Sequence, residues 1–544
     1  MQAIDAVAQI LKTEGVENLF CFPANSLIDA CAKVGIRPIM ARTERTLINM
    51  ADGFSRISNG DRLGVACVQS GPGSENAFGG LAQAFSDSVP ILMLPGGVAR
   101  RSHGIPTHFE AVPNYGGITK WVAQVNFPDR IPAMMRRAFS LLRTGHPAPV
   151  MLEIPTDVAS EDIDDGFDYR PPEKIKPAGN PSDIAASVKA LFAAESPILH
   201  AGQGVLYADG TDELIEFAEL VGVPVMTTMA GKSVFPENHP LSLGASGHTG
   251  TGMVKHFLGK ADLVFGLGCS LSTSVMSTPI PDGKVLIHNS IDELDINKDY
   301  AADYAIIGDA KIVLGQLIDE AKKQLGGSGR DSDGVVGEIK TVKDQWLAEW
   351  MPKLTSDETP INPYRVVWDL NQAVDRTQTI VTHDSGNPRD QTLPFYEAIT
   401  PHGYIGWGKS TQLGYGLGLI MGAKMAAPEK LAVNIMGDAA FGMAGMDFET
   451  AARERIPILT IMFNNSALGG YEKHMPVATE RFQTKFLSGD YAKVAEGLGG
   501  YSEKVENPAD IIPAIQRVQK ETEAGKPALL EIITREETDF SLGI

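Results

Sequence analysis

Two hydrophobic periods alternate along the chain. Stretches with apolar residues three and four apart give way to short, almost unbroken apolar runs, and those runs end at glycine, proline, asparagine or aspartate. The pattern predicts a helix over Ala3 to Glu14, a strand over Val16 to Phe22, a helix over Ser26 to Val34, a strand over Ile36 to Met40 and a helix over Arg45 to Ser58. Leu63 to Gln69 has no polar alternation, as expected of a strand covered on both faces in a parallel sheet. A helix over Asn76 to Ser86 and a strand over Val89 to Leu94 follow. Farther on, the same reasoning places strands at Pro197 to Ala201, Pro224 to Thr228, Ala261 to Leu267, Lys284 to His288, Thr379 to Thr382, Leu431 to Met436 and Ile456 to Phe463, with a helix at Thr211 to Val221. Strands alternating with helices in this way belong to the α/β class.

With 544 residues the chain is too long for one core and fits about three domains. Two stretches without periodicity mark the divisions. One is proline-rich and charged (about 160 to 182), and the other is the glycine-rich run from Gly326 to Gly334. The expected domains are 1–165, 183–325 and 337–544. The formal net charge of -20 argues against a nucleic-acid partner, which wants a basic face. Four cysteines (Cys21, Cys31, Cys67, Cys269) have neither metal-ligand spacing nor a disulfide framework, so a reducing cytoplasm is the expected compartment. The N-terminal segment reads as neither a signal peptide nor a membrane span.

Candidate chemistry concentrates between Met436 and Tyr471. An apolar run ends at Gly437-Asp438, a helical segment of small residues follows, and a second apolar run ends at Asn464-Asn465. This βαβ unit puts a carboxylate and amides at the carboxyl ends of neighbouring parallel strands, where open α/β sheets bind ligands. Hard oxygen donors suit Mg²⁺ or Ca²⁺ once a substrate adds phosphate oxygens, which makes Asp438, Asn465 and the main-chain carbonyl of Ala467 a candidate clamp. The chain contains its own control: Gly308-Asp309-Ala310 also follows an apolar run, but no asparagine pair comes after it. Ser70-Gly71-Pro72-Gly73 and Glu44 mark two further strand-to-helix junctions. Gly403 to Ser410 spells a nucleotide-triphosphate loop, yet Pro401-His402 precedes it where a buried strand is required. Gly202-x-Gly204 starts a dinucleotide turn whose third glycine position is Tyr207.

Taken together, these motifs resemble thiamine-diphosphate enzymes of the acetolactate synthase and 2-oxo acid decarboxylase superfamily. The family's cofactor motif begins Gly-Asp-Gly and ends Asn-Asn; here it reads Gly437-Asp438-Ala439 and Asn464-Asn465. Pro23-Ala24-Asn25, Arg42-Thr43-Glu44 with Ala51 to Arg56, the Ser70 to Gly73 turn, the segment from Leu241, Gly386-Asn387 and Thr411 to Gly416 extend the resemblance over nearly the whole chain. It implies three doubly wound open-sheet domains, pyrimidine-binding, central and diphosphate-binding in that order.

The implied cofactors are thiamine diphosphate and Mg²⁺, with FAD in the central domain left open. Glu44 would hold the cofactor's aminopyrimidine nitrogen, because that ring is the base that removes the thiazolium proton. Leu413, beside Gln412, would be the apolar wedge that bends the cofactor. Asp438, Asn465 and Ala467 would hold the metal, while Gly386, Asn387, Gly437, Ala439, Ala440, Leu468 and Gly469 line the diphosphate. Asn25, His108 and His474 are the residues expected near the reacting carbon.

The chain departs from acetolactate synthase at His108-Phe109-Glu110 and Lys473-His474-Met475, where that enzyme has Phe-Gln-Glu and Gln-Trp-Glu. The reading is therefore cleavage or carboligation of a 2-oxo acid or 2-hydroxy carbonyl compound. The alternative is a 2-hydroxyacyl-CoA lyase or oxalyl-CoA decarboxylase. A non-catalytic subunit would not need Glu44, and phosphotransfer at Lys409 lacks the strand. In the family one cofactor spans two subunits, so a homodimer or homotetramer acting on a small molecule is expected, with no membrane partner.

Overall fold

The computed structural model describes residues 1–327 and 329–542. Ser328, within the expected glycine-rich linker, and Gly543 and Ile544, at the end of the expected third domain, lie outside the described residues. Three parallel sheets follow one another along the chain, each flanked by helices. The first contains β1 (Asn18–Cys21), β2 (Arg37–Met40), β3 (Gly64–Cys67), β4 (Ile91–Met93), β5 (Gly96–Gly97), β6 (Trp121–Gln124) and β7 (Val150–Pro155). Their order is β2-β1-β3-β4-β7-β5, and β6 also pairs with β7. The second holds β8 (Pro197–Ala201), β9 (Val225–Thr228), β10 (Ser242–Ser246), β11 (Leu263–Leu267), β12 (Val285–Ser290) and β13 (Tyr304–Ile307), ordered β10-β9-β8-β11-β12-β13. The third holds β14 (Thr379–His383), β15 (Tyr404–Ile405), β16 (Leu431–Gly437), β17 (Ile458–Asn464), β18 (Tyr501–Val505) and β19 (Ala528–Ile533), ordered β15-β14-β16-β17-β19-β18.

In each sheet the strand order reverses beside the first strand: between β1 and β3, between β8 and β11, and between β14 and β16. The carboxyl ends at such a reversal splay the following loops apart and leave a crevice. The chain therefore builds three crevices from one topology.

Two elements differ from the sequence reading. The helix after β3 spans Pro72–Ser86 and starts four residues earlier than the apolar pattern suggested. Gly71 takes the cap position at φ 65, a conformation glycine adopts without strain, and Pro72 fits the first helical turn, so the Gly-Pro-Gly segment is the helix start itself. A 22-residue helix, Asp333–Leu354, begins inside the expected linker. Its apolar contacts, including Trp346 stacked on Phe395 with ring centroids 4.9 Å apart, seat it on the third unit.

The first and third units meet through the helices Glu44–Ile57 and Tyr415–Ala426. A side chain at Gly53 would overlap the Leu419 carbonyl oxygen, one at Gly422 would overlap Met50 O, and one at Gly418 would come within 2.8 Å of Thr46 O. Backbone thus lies directly on backbone. Beside this contact, buried Arg56 reaches Asp52 at 2.5 Å and Asp87 at 3.1 Å and donates to Gly406 O, while the Tyr415 hydroxyl donates to Asp52. Asp87 also accepts from the backbone N–H groups of Gly408 and Lys409. The loop that spells a phosphate motif therefore holds a protein carboxylate. Among the described residues no helix is long and apolar enough to cross a membrane.

Because backbone cannot give way, Gly422→Ala should destabilise the protein by about 3 kcal/mol. Gly259→Ala, on a helix with open space around the new methyl, should be neutral or stabilising by up to about 1 kcal/mol. Urea midpoints compare them, and equal midpoints would contradict this packing.

Buried histidines set the acid limb of stability. Burial, reinforced by His288, lowers His200 to about 4; burial, reinforced by Arg389, lowers His383 to about 3; and burial, reinforced by Lys430, lowers His402 to about 4. Unfolded, each takes its proton near pH 6.5 (about). Stability present above that pH is thus lost as pH falls toward 4. Burial pushes Asp384 up to about 6, so it acts in the opposite sense over about pH 6 to 4. Three histidines outweigh one carboxylate, and stability should drop by about 3 kcal/mol between about pH 7.5 and 5.5. Denaturant titrations at those pH values check it; a flat or rising profile would refute it.

Candidate active site

The crevice of the third sheet collects the residues of the Gly-Asp and Asn-Asn segments. β16 ends at Gly437, and Asp438 opens a short helix, Asp438–Ala444. The Asp438 side chain is buried: one oxygen accepts from the Ala439 backbone N–H at 2.7 Å, while the other, Oδ2, has no hydrogen-bond partner. Burial pushes this carboxyl above the ordinary range, against the pull of the Ala439 and Ser466 backbone N–H groups. An unpartnered anionic oxygen at a strand end is costly unless a cation or donor joins it. Asp309, the control, is in a different position, since its side chain caps the helix Ala310–Leu325 through the Ile312 N–H.

One strand over, β17 ends in Asn464, whose amide donates to Glu531 and whose carbonyl accepts from Ser466. Asn464 is thereby an internal anchor, and Asn465 is left on the crevice side with its Oδ1 accepting from Ala467 N–H at 3.1 Å. A side chain at Gly469 would overlap the Asn387 amide and lie 3.5 Å from that of Asn465. Asn387, Asn465 and Gly469 therefore converge. Asn387 begins the helix Asn387–Phe395 behind Gly386, which has φ 85. Ala467 and Ala440 are buried, and Gly437, Ala439, Leu468 and Gly469 are partly exposed along the rim.

Asp384, to which the sequence reading gave no role, fixes the neighbouring turn. Its two oxygens accept from the N–H groups of Ser385, Gly414 and Gly416 at 2.8 to 2.9 Å. Gly414 sits at φ 80, and a methyl there would come within 2.8 Å of Arg45. This turn presents Gln412 and Leu413. Gln412 N–H donates to Gln83, its side-chain oxygen is buried without a partner, and Leu413 packs on the core shared by the first and third units.

Glu44 is the first residue of its helix and is 6% exposed. Thr43 caps that helix, and Asn76 donates to Glu44 Oε2 at 3.3 Å. Buried Asp447 clamps the junction from the third unit, accepting from Arg42 N–H at 2.7 Å and from the Thr43 hydroxyl at 2.9 Å. Neither Asp447 nor Asn76 was legible as a site residue, although Asp447 stands nine positions after Asp438 in the same segment. Asp438 opens the helix Asp438–Ala444, and Asp447 ends the separate helical turn Gly445–Asp447 that follows it.

Asn25 is placed at the first sheet's crevice, but its side chain is fully engaged. It donates to Val68 O and Leu94 O and accepts from Leu27 N–H. That geometry makes it a turn anchor, leaving no amide hydrogen for a substrate. His108 and His474 are both exposed, on the loops before Ala111–Tyr115 and before Pro476–Phe482.

A cavity of about 260 Å³ opens at the crevice of the second sheet. Gly204 after β8, Gly268 after β11 and Gly308 after β13 line its strand-end side, and Lys174 and His146 approach from the first linker and the first unit. Gly204 cannot carry a side chain, since a methyl there would come within 2.7 Å of Gly268 O.

Three thiamine pyrophosphate enzyme domain families match the chain in this order: the N-terminal TPP-binding domain over residues 1–122, the central domain over 184–317 and the C-terminal TPP-binding domain over 384–532. A probable acetolactate synthase large subunit of Methanocaldococcus jannaschii is 30% identical over 563 aligned residues, which take in 98% of this chain and 92% of the relative. The acetolactate synthase large subunit of Haemophilus influenzae is 29% identical, covering 95% of this chain and 92% of its own. Glyoxylate carboligase of Escherichia coli O157:H7 is also 29% identical, covering 100% and 95%. With matched domains on all three sheets, the chain belongs to the thiamine pyrophosphate enzymes of the acetolactate synthase superfamily, which make and break carbon–carbon bonds at a carbonyl group.

Proposed function

We propose that the chain joins an acyl unit, taken from a 2-oxo acid by decarboxylation, to a second carbonyl compound, with thiamine diphosphate held through a divalent metal. The observation that carries this reading is the buried, unpartnered Asp438 Oδ2 at the crevice where Asn387 and Asn465 converge. Mg²⁺ fits such a donor set, since a carboxylate, an amide oxygen and the Ala467 carbonyl leave room for diphosphate oxygens. When bound, the cofactor supplies a carbon nucleophile and an electron sink.

The protein's part is positional. Glu44 would hydrogen-bond the cofactor's pyrimidine nitrogen, and Asn76 orients the Glu44 carboxyl group. Leu413, braced by the Asp384 turn, would supply the apolar support for the bound cofactor. Gly386, Asn387, Gly437, Ala439, Ala440, Leu468 and Gly469 cradle the diphosphate, with Gln412 at the rim. His108 and His474 serve as substrate-facing groups at the mouth, whereas Asn25 shapes the loop. The chain works as a homodimer or larger, with Glu44 and Asp438 of each site drawn from different copies, as the resemblance implies. The central cavity takes FAD or another nucleotide: it lies at a strand-order reversal, glycines let backbone approach there, and a buried His200 nitrogen lacks a partner.

Mass spectrometry of products from a panel of 2-oxo acids with aldehyde or 2-oxo acid acceptors tests the activity. Carbon dioxide release with a joined hydroxy-ketone product is expected, and no turnover of any pair in the presence of cofactor and Mg²⁺ would sink the reading. Asp438→Ala should lose metal-dependent cofactor binding by calorimetry, and unchanged affinity would remove Asp438 from the clamp. Glu44→Gln should keep most of that affinity and lose about 10²–10⁴-fold in turnover. Mixing the two inactive chains should restore part of the activity, because one of the two shared sites in a mixed dimer is intact; verified subunit exchange without recovery would mean that each chain builds its own site.

A further inference from the structure

We propose that Glu531 is a positioning residue for the metal-holding loop. Its carboxylate fixes which way the Asn464 amide points, and that amide sets the turn from which Asn465 and Ala467 reach the metal. This role rests on the reading of Asp438, Asn465 and Ala467 as the clamp.

Glu531 lies in β19, beside Met462 of β17 and Lys504 of β18, and is 0% exposed. Its Oε1 accepts from Asn464 Nδ2 at 2.7 Å, and its Oε2 accepts from the Ala492 backbone N–H at 2.8 Å. The Lys504 ammonium stands 3.7 Å from Oε2. Each oxygen faces an N–H donor, so Asn464 must present hydrogens on this side. Its other side agrees: Oδ1 accepts from the Ser466 N–H at 3.0 Å and from the Ser466 hydroxyl at 3.1 Å. A backbone N–H can only donate. Turning the amide over would set its NH₂ group against the Ser466 N–H and its oxygen against the carboxylate.

That orientation holds the start of the clamp. Ser466 sits at φ 54, in the left-handed region, which costs a residue other than glycine free energy unless its surroundings impose it. The Asn464 oxygen imposes it from one side, and the Leu487 N–H, donating to Ser466 O at 2.8 Å, from the other. Directly before Ser466 comes Asn465, and directly after it Ala467, whose N–H donates to Asn465 Oδ1. The Ser466 N–H also pulls on the Asp438 carboxyl. One turn therefore borders all three clamp residues.

An amide at position 531 could not do this. Two donors converge there, Asn464 Nδ2 and the Ala492 N–H, and an amide has one accepting oxygen. If that oxygen takes the Ala492 N–H, the new NH₂ group faces Asn464 and competes for the Oδ1 that Ser466 needs. If it takes the Asn464 NH₂ group, its own hydrogens face the Ala492 N–H. Exchanging the polarity of the pair removes the conflict. A carboxylate at position 464 can accept from both Ser466 donors and from an amide at position 531, whose oxygen stays on the Ala492 N–H.

The polarity exchange separates positioning from packing, since each substitution keeps nearly the same shape. Wild type, Glu531→Gln and the double variant Asn464→Asp with Glu531→Gln, matched for folding by far-ultraviolet circular dichroism, are titrated with Mn²⁺ at saturating thiamine diphosphate. Free Mn²⁺ is read from its electron paramagnetic resonance signal. Wild type should bind Mn²⁺ in a cofactor-dependent way. Glu531→Gln should bind it about tenfold more weakly, because one buried polar group is left unpaired at the turn. The double variant should recover to within about threefold of wild type. Unchanged affinity in Glu531→Gln, or a double variant no better than Glu531→Gln, would overturn the positioning role while leaving the clamp in place. Should Glu531→Gln not fold, the double variant decides alone: near-wild-type affinity supports the role, and lost affinity overturns it. Wild type without cofactor-dependent Mn²⁺ binding would overturn the clamp reading and this role with it.

Discussion

The structure depends on one close contact, the helix Glu44–Ile57 lying against the helix Tyr415–Ala426 with backbone touching backbone at Gly53 and Gly422. The first helix begins with Glu44, and the second follows directly from the turn that carries Leu413. Any added methyl at the contact would push carbonyl groups apart and move both. Arg56 closes the same seam with charge. It is buried between Asp52 and Asp87, and Asp87 holds the Gly408 and Lys409 backbone. Removing one partner of such a network leaves an uncompensated buried charge, which costs about 3–5 kcal/mol. The seam is therefore resistant to drift as well as tight.

Much of this was legible from the chain alone, for reasons that differ by residue. Pro197–Ala201 and Thr211–Val221 have the same bounds in the structure as in the hydrophobic pattern, because a buried parallel strand and an amphipathic helix each impose a period. The Gly-Asp and Asn-Asn strand ends were visible because motif spacing follows from topology. The helix Asp333–Leu354 was not, since its surface is largely polar and few of its residues are buried. Asp384 and Asp447 were missed because their defining partners, the Gly414 and Gly416 N–H groups and the Arg42 N–H and Thr43 hydroxyl, are brought in by folding from far along the chain. Asn25 shows the reverse. Its motif position pointed to the substrate, while the fold engages every polar atom of its amide locally.

One topological device recurs with different chemistry. In the first sheet the reversal is filled by a satisfied asparagine, in the second it opens into the cavity lined by His200, and in the third it exposes Asp438 Oδ2. The fold supplies the crevice, and the unpaired polar atoms say what belongs in it. A carboxylate oxygen beside two amides calls for a cation that also holds an anion.

Electron paramagnetic resonance of bound Mn²⁺, in place of Mg²⁺, tests the metal-clamped diphosphate most directly. In wild-type protein the account predicts tight Mn²⁺ binding that depends on thiamine diphosphate, with phosphorus hyperfine couplings that show the metal ligated by the cofactor. A spectrum identical with and without the cofactor, or lacking phosphorus couplings, would contradict it.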